Sequence, residues 1–297
     1  MSQQLAREQL GHPLLDTAGV DLESADRITY VMRQHLRYDY EGSAYDLASR
    51  LVLLPRQRHG NQVRRLHSLE VSAPDADVST RRDWNGNLVT QVRLGVVPSS
   101  VEFLMQAVIE RSGPRTDAML PLSALTELRL LRPTKLTTPD AALYAAAQEL
   151  RAAAADDLDF AELCCAHVNK AIAYEYGPTS VSTTAAEAYA GGRGVCQDHA
   201  HVMLALCRAI GVPARYVSGH LLGEGGSHAW VEVVVRDGDR ARAVAFDPCN
   251  GCRAGASYIT IATGRDYAHV APTSGYYEGE AIGRLTVTKK IGVVAAA

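Results

Sequence analysis

The stretch 191–211, GGRGVCQDHAHVMLALCRAIG, constrains this chain more than any other. Its glycines at 191, 192 and 194 let the backbone turn tightly and be approached closely. From 195 to 210 the apolar residues are too dense for an amphipathic surface helix, so the spacing predicts a buried central helix. Gly211 ends it, with Pro213 just beyond. Any fold open to this chain must wrap a core around that helix. Cys196 then falls in its first turn, where free N–H groups and the positive end of the helix dipole favour a thiolate. That position suits a nucleophile better than a packing cysteine.

The 297 residues, 47% apolar and 21% charged, describe a globular chain with ample core for one large or two ordinary domains. A net charge of −3 leaves no basic footprint, so no nucleic-acid partner is expected. No apolar run approaches the roughly 20 residues that cross a bilayer, so no membrane partner is expected either. The first residues, MSQQLAREQLGHPLLD, lack a charged start followed by an apolar core. Six cysteines in this length are too few for a disulfide framework. Both observations favour a cytoplasmic location.

Taken in order, 1–25 reads as an arm or short helix without evident purpose. Strands are then predicted at 27–40, 48–54, 62–71, 87–97 and 100–111, separated by turn signals such as Glu41-Gly42 and Ala73-Pro74-Asp75. Asn85-Gly86, between Trp84 and Leu88, is the strongest hairpin signal. These features predict an antiparallel, sandwich-like β-rich domain over 1–130. Residues 112–138, broken by Pro114, Pro121 and Pro133, read as a linker. Helices follow: one from Thr138-Pro139-Asp140 to Ala155, one capped by Asp159 and running through 173, and a short one capped by Thr183 or Thr184. Strands are predicted again at 214–222, 229–236, 241–246, 258–262 and 284–294. The second domain, 131–297, is therefore α+β.

The chemistry turns on partners for Cys196. His228 opens a strand after the Gly223-Glu224-Gly225-Gly226 loop, and Asp247 closes the next strand ahead of Pro248. If the two strands pair as a hairpin, period-two counting permits both side chains on one face. Each residue alone has an ordinary reading: a core cysteine, a satisfied histidine, an Asp-Pro turn. Together they make a nucleophile, a base and a carboxylate that orients the base.

Several motifs now carry a resemblance: Gly194-Val195-Cys196-Gln197-Asp198-His199-Ala200-His201, Gly211-Val212-Pro213-Ala214-Arg215-Tyr216, His228-Ala229-Trp230-Val231-Glu232 and Phe246-Asp247-Pro248. The chain resembles the bacterial transglutaminase-like superfamily, whose members are often described as candidate cysteine proteases. The likeness extends to Gly264-Arg265-Asp266-Tyr267, and upstream to Tyr38-Asp39-Tyr40, Leu54-Pro55-Arg56, Gln62 and Asp83-Trp84-Asn85-Gly86-Asn87, which look like the family's N-terminal β-domain. It implies a papain-like core, with a helical subdomain packed on an antiparallel sheet and the site between them. It implies Cys196 as nucleophile, His228 as base and Asp247 as the orienting residue. Two departures touch the cleft wall: no Trp precedes Phe246-Asp247-Pro248, and Cys249 stands where the family usually has Thr.

The expected reaction is acyl transfer from a peptide or protein amide through a thioester. Hydrolysis would make the protein a cysteine peptidase or amidase, and an amine acceptor would make it a transglutaminase. A non-catalytic peptide-binding scaffold is the alternative from another class. Backbone N–H groups at the helix start would hold the oxyanion, with Tyr189 or Gln197 as the second donor. Trp230, Asp266 and Tyr267 complete the expected substrate-binding set. Cys196 with His199 or His201 has poor zinc spacing, and Cys249-Asn250-Gly251-Cys252 is a single C-x-x-C, so no metal or cofactor is called for. Glu232 and Arg215 read as sheet or interdomain polar groups.

Overall fold

A computed structural model describes residues 3–16, 20–113 and 117–297. The N-terminal part is the expected antiparallel sandwich. One sheet runs Gly283–Ala296, Arg27–Tyr40, Ser100–Ser112, Gln62–Val71 and Arg58–His59; the other runs Thr273–Glu278, Ala44–Leu51, Leu88–Val97 and Asp77–Arg82. Alternate residues of the two inner faces, among them Tyr30, Met32, Leu47, Val92, Phe103 and Met105, share one core. The arm at 1–25 has a purpose after all. Its Gln3–Gly11 helix lays Ala6 on Val31, Val108 and Val294, covering the outer face of the first sheet.

Asn85-Gly86 does form a hairpin turn, with Gly86 at φ +80° and its N–H donated to the Asp83 carbonyl. The strand it joins to Leu88–Val97 is Asp77–Arg82, which sequence reading passed over because every residue in it is exposed and only Val78 is apolar. The strand expected at 48–54 lies at Ala44–Leu51, and Val52, Leu53 and Leu54 continue as buried loop.

The half built on the central helix is α+β as expected. The helix Cys196–Ala209 is buried along almost its whole length against the sheet Cys252–Arg253, Arg240–Asp247, His228–Asp237, Ala214–Leu221 and Tyr258–Gly264. Helices Ala141–Ala153, Asp157–Ala171 and Ala185–Gly191 close its other sides. Asp140 caps the first of these through the Leu143 N–H, and Thr184 with Glu187 forms a reciprocal cap on the third. The second helix begins earlier than expected. Asp156 is its cap, accepting from the N–H groups of Leu158 and Asp159, while Asp159 turns back to the Ala155 N–H.

The stretch 112–138 is no loose linker. Ala118–Leu120 adds an edge strand to Arg240–Asp247; of the turns after it, Leu122–Thr126 packs on the strands His228–Asp237 and Arg240–Asp247, and Lys135–Thr137 packs on the central helix. Buried Arg208 fixes them, donating to the Leu130 carbonyl, the Thr137 hydroxyl and the carbonyls of Ala214 and Arg265. Pro121 and Pro133 border short turns here, while Pro114 lies outside the described residues. The strand expected at 284–294 forms, as Gly283–Ala296, but it joins Arg27–Tyr40 rather than the catalytic sheet.

Polar side chains clasp the two halves together. The edge strand Tyr258–Gly264 would leave backbone groups open to other chains. Gln62 pairs with both backbone groups of Thr260 (2.8 and 3.0 Å), and Asn87 does the same for Thr263 (2.8 and 2.9 Å). Two amides thus imitate a neighbouring strand. Asp83 orients Asn87 by accepting from its side chain and its N–H. A second clasp is ionic: Glu232 meets His59 at 2.5 Å and Arg215 at 2.6 Å, all three buried. Arg215 and His59 outweigh burial and hold the Glu232 carboxyl down at about 2.

Candidate active site

Cys196 stands at the first position of the central helix, after Val195 in extended conformation. The turn into the helix depends on Asp198, which accepts from the Val195 N–H at 2.8 Å and from the Thr179 hydroxyl at 2.7 Å. Gly194 is required there, because an added Cβ would lie 2.6 Å from the Asp198 carboxylate. His199 anchors the same turn, with its ring nitrogens 2.9 Å from the Val195 carbonyl and 3.0 Å from that of Ile172.

His228 and Asp247 come together across the pair of strands His228–Asp237 and Arg240–Asp247, at 2.7 Å between Nε2 and Oδ2. Burial works against a charge on His228, but the bond to Asp247 and the nearby Cys196 thiol prevail and raise it to about 10. Asp247 is completely buried, which favours the neutral acid, yet His228, Tyr258 and Asn250 hold it below the usual carboxylate value. Its Oδ1 accepts from the N–H groups of Cys249 and Asn250, and its Oδ2 also accepts from the Asn250 amide and the Tyr258 hydroxyl. Imidazole and carboxylate are therefore directly bonded, and the Cys196 thiol at the helix start lies near enough to bear on the charge of the imidazole.

The comparisons with known proteins bear on this arrangement. The transglutaminase-like superfamily core matches residues 144–248, which hold all three residues, and the bacterial transglutaminase-like N-terminal region matches 30–110. The chain belongs to the transglutaminase-like superfamily. An uncharacterised protein of Mycobacterium leprae is 38% identical over 128 residues, a match spanning 40% of this chain and 44% of that protein. Another, from Mycobacterium tuberculosis, is 28% identical over 279 residues, spanning 83% of this chain and 86% of its own length. A crystal structure of a candidate cysteine protease from Cytophaga hutchinsonii has the same fold, with TM-score 0.75 at 18% identity over 91% of this chain and 92% of the other. The papain-like core behind a β-domain is thus the family fold.

Other residues expected around the superfamily site divide. Gln197 follows Cys196 at the helix start and is largely buried, its amide reaching the Ser180 carbonyl at 3.5 Å. Tyr267 lines a cavity beside the glycine loop that leads to His228. Trp230 is not in the cleft wall. At 1% exposed it lies behind His228, stacked on the imidazole at 6.2 Å between centroids. Gly219 makes room for it, since a Cβ there would meet the indole at 2.4 Å. Tyr189 faces away, its hydroxyl tied to His167 at 2.8 Å on the Asp157–Ala171 helix. Asp266 caps the short helix Tyr267–Val270 and pairs with His269 at 2.7 Å, so its carboxylate is spent on structure.

Sequence reading missed three contributors. Tyr258 and Asn250 complete the shell of Asp247, and Asn250, three residues after it in a turn, could have been found as an Asx-type partner. Glu224 is the third, with a carboxylate oxygen 3.2 Å from His228 Nδ1. Nothing in a Gly-Glu-Gly-Gly loop marks its carboxylate for that place. Among the described residues no helix is long and apolar enough to cross a membrane.

Proposed function

We propose that this protein is a thiol-dependent acyl-transfer enzyme that acts on peptide or protein amides as a cysteine peptidase or amidase. What supports this reading is a buried His228 held by a fully buried, five-bonded Asp247, with Cys196 at the helix start acting on the charge of the imidazole. A histidine raised to about 10 holds its proton at neutral pH and has one to give. The Cys196 sulfur attacks the amide carbonyl as a thiolate, forming a C–S bond and a tetrahedral oxyanion. Backbone N–H groups of the helix start, which lack intrahelical acceptors, stabilise that oxyanion. His228 then protonates the leaving amine, the C–N bond breaks and a thioester remains. Water, giving its proton to His228, attacks the thioester; the acid leaves and Cys196 is restored with the proton shared with His228.

Intact-mass measurement after incubation with a peptide library, with and without a primary amine, tests this. Hydrolysed peptides with wild-type protein and none with Cys196→Ala are the expected result. Amine-adducted products in place of hydrolysis would make the enzyme a transglutaminase, and peptide binding without any turnover would make it a scaffold.

A further inference from the structure

The sandwich and the catalytic sheet enclose a cavity of about 340 Å³ that the reaction above does not use. Its outer wall is set by strand register. Gln34 pairs directly with Lys289 and Leu36 with Val287, so period two puts these four side chains on one face, with Leu285 continuing the row. The inner wall is Ser218, Gly219 and His220 of the catalytic sheet, and the mouth is the glycine loop that ends in Ser227, next to His228. Most of the remaining lining is apolar, including Val52, Leu53, Ile261 and Pro272.

Its polar groups are few and incompletely used. Lys289 is the one charged group on the lining, which carries no carboxylate, and its nearest polar contact is His220 Nδ1 at 3.3 Å. Burial of His220 keeps that ring neutral, at about 3, so it offers Lys289 no counter-charge. Lys289 is itself lowered by burial to about 8, with Glu224 and Cys196 near enough to oppose that. Gln34 is 4% exposed, and its amide lies 3.1 Å from His220 Nε2; with Nδ1 facing the Lys289 ammonium, Nε2 carries the neutral ring's proton, so the Gln34 amide oxygen accepts it and the amide N–H is left without a partner. A half-buried ammonium with no carboxylate at ion-pair distance among the described residues and a buried amide N–H without an acceptor are both costly to leave unmet.

We infer that this cavity is a substrate subsite that takes an apolar residue bearing a carboxylate, with Lys289 on the carboxylate and the Gln34 amide N–H on a peptide carbonyl. It deepens the acyl-transfer reading and rests on it for the word substrate. The carboxylate could be a peptide's own C-terminus or an acidic side chain, and the chemistry at Lys289 is the same.

Titration calorimetry with the Cys196→Ala protein separates binding from turnover. The probes are N-acetyl-Ala-Leu, its C-terminal amide, and the amide of N-acetyl-Glu-Leu. The free acid is expected to bind about tenfold more tightly than its amide, a gap lost in a Lys289→Met background and kept with Lys289→Arg. Tight binding of the glutamyl amide instead would assign the carboxylate to a side chain. Equal affinities for acid and amide, absence of binding, or a gap that survives Lys289→Met would overturn the inference. Carboxylate-selective binding in a protein whose wild type turns over nothing would remove the enzyme reading and leave the subsite. Peptide turnover without that selectivity would do the reverse.

Discussion

Tyr258 donates its hydroxyl to Asp247 Oδ2 at 2.8 Å, the same oxygen that His228 Nε2 meets at 2.7 Å. The orientation of the carboxylate is thereby fixed from the neighbouring part of the sheet before the imidazole uses it. Tyr258→Phe keeps the ring that packs on Trp230 and removes one donor. Activity is expected to fall about tenfold, against about 10⁴-fold for Asp247→Asn, where an amide can select the wrong imidazole tautomer. Asp247 has a depressed folded pKa, so its stabilisation is present above the unfolded carboxylate value and is lost as pH falls through the folded one. Losing the Tyr258 donor raises the folded value, and urea melts of Tyr258→Phe in acid should unfold at higher pH than wild type. Identical acid transitions would mean that the hydroxyl does not act on Asp247.

The opposite sign holds for His228. Raised from 6.5 to about 10, it adds stability that is fully present below 6.5 and drains away between 6.5 and 10. Melting temperature should decline over that window in wild type, and the decline should flatten in His228→Gln. In Asp247→Asn the loss of the anion should also move the basic limb of the activity profile to lower pH.

Two variants on one helix separate chemistry from folding. Cys196→Ala should abolish turnover with little change in melting temperature, because the thiol sits at the helix start and is only half-buried. Cys207→Asp puts a charge where the side chain is 0% exposed and should unfold the protein. Brief iodoacetamide treatment should label Cys196 ahead of Cys249, whose thiol is pushed up by burial and by Asp247. Faster labelling of Cys249 would count against the nucleophile assignment.

Glu232→Gln and Asp266→Asn are the controls for the carboxylate. Glu232 is bound to Arg215 and His59, so its loss should cost about 3–5 kcal/mol of stability by leaving Arg215 buried and unpaired. Neither control should shift the basic limb set by His228. A shift with Asp266→Asn alone would hand the orienting role to that residue.

The clasp on the edge strand gives a further measurable expectation. Asn87→Ala leaves the Thr263 N–H and carbonyl without their partner, at about 1–3 kcal/mol for each buried group. Chemical denaturation should report that loss in one cooperative transition. A variant as stable as wild type would show that water takes over both bonds.

The parts of this protein that were legible in its sequence are those with a short-range cause. The central helix is announced by apolar density and by Gly211, which takes φ +78°. Cys196, His228 and Asp247 were found because each sits at an element boundary, where local signals are strongest. Asp77–Arg82 was not, since an exposed edge strand needs no apolar alternation. Trp230, buried and stacked on His228, looks the same in sequence as an aromatic that faces a cleft. Tyr258 and Lys289 were invisible because their contacts come from pairings between separate strands, such as Gln34 beside Lys289, and Glu224, four residues before His228, because a glycine loop does not say where its carboxylate points. The return of Gly283–Ala296 to the N-terminal sheet has the same origin.

That return governs how the molecule can be made. Residue 28 pairs with residue 296, so the sheet is completed by closing a loop that spans almost the whole described chain. Closures of that length are slow relative to local helix formation, and order along the chain puts this strand after every other element of both halves. A nascent chain that has already presented Cys196, His228 and Asp247 to the solvent still lacks Val287 and Lys289, and with them one side of the cavity. That wall of the cavity is thus completed last, as a by-product of topology.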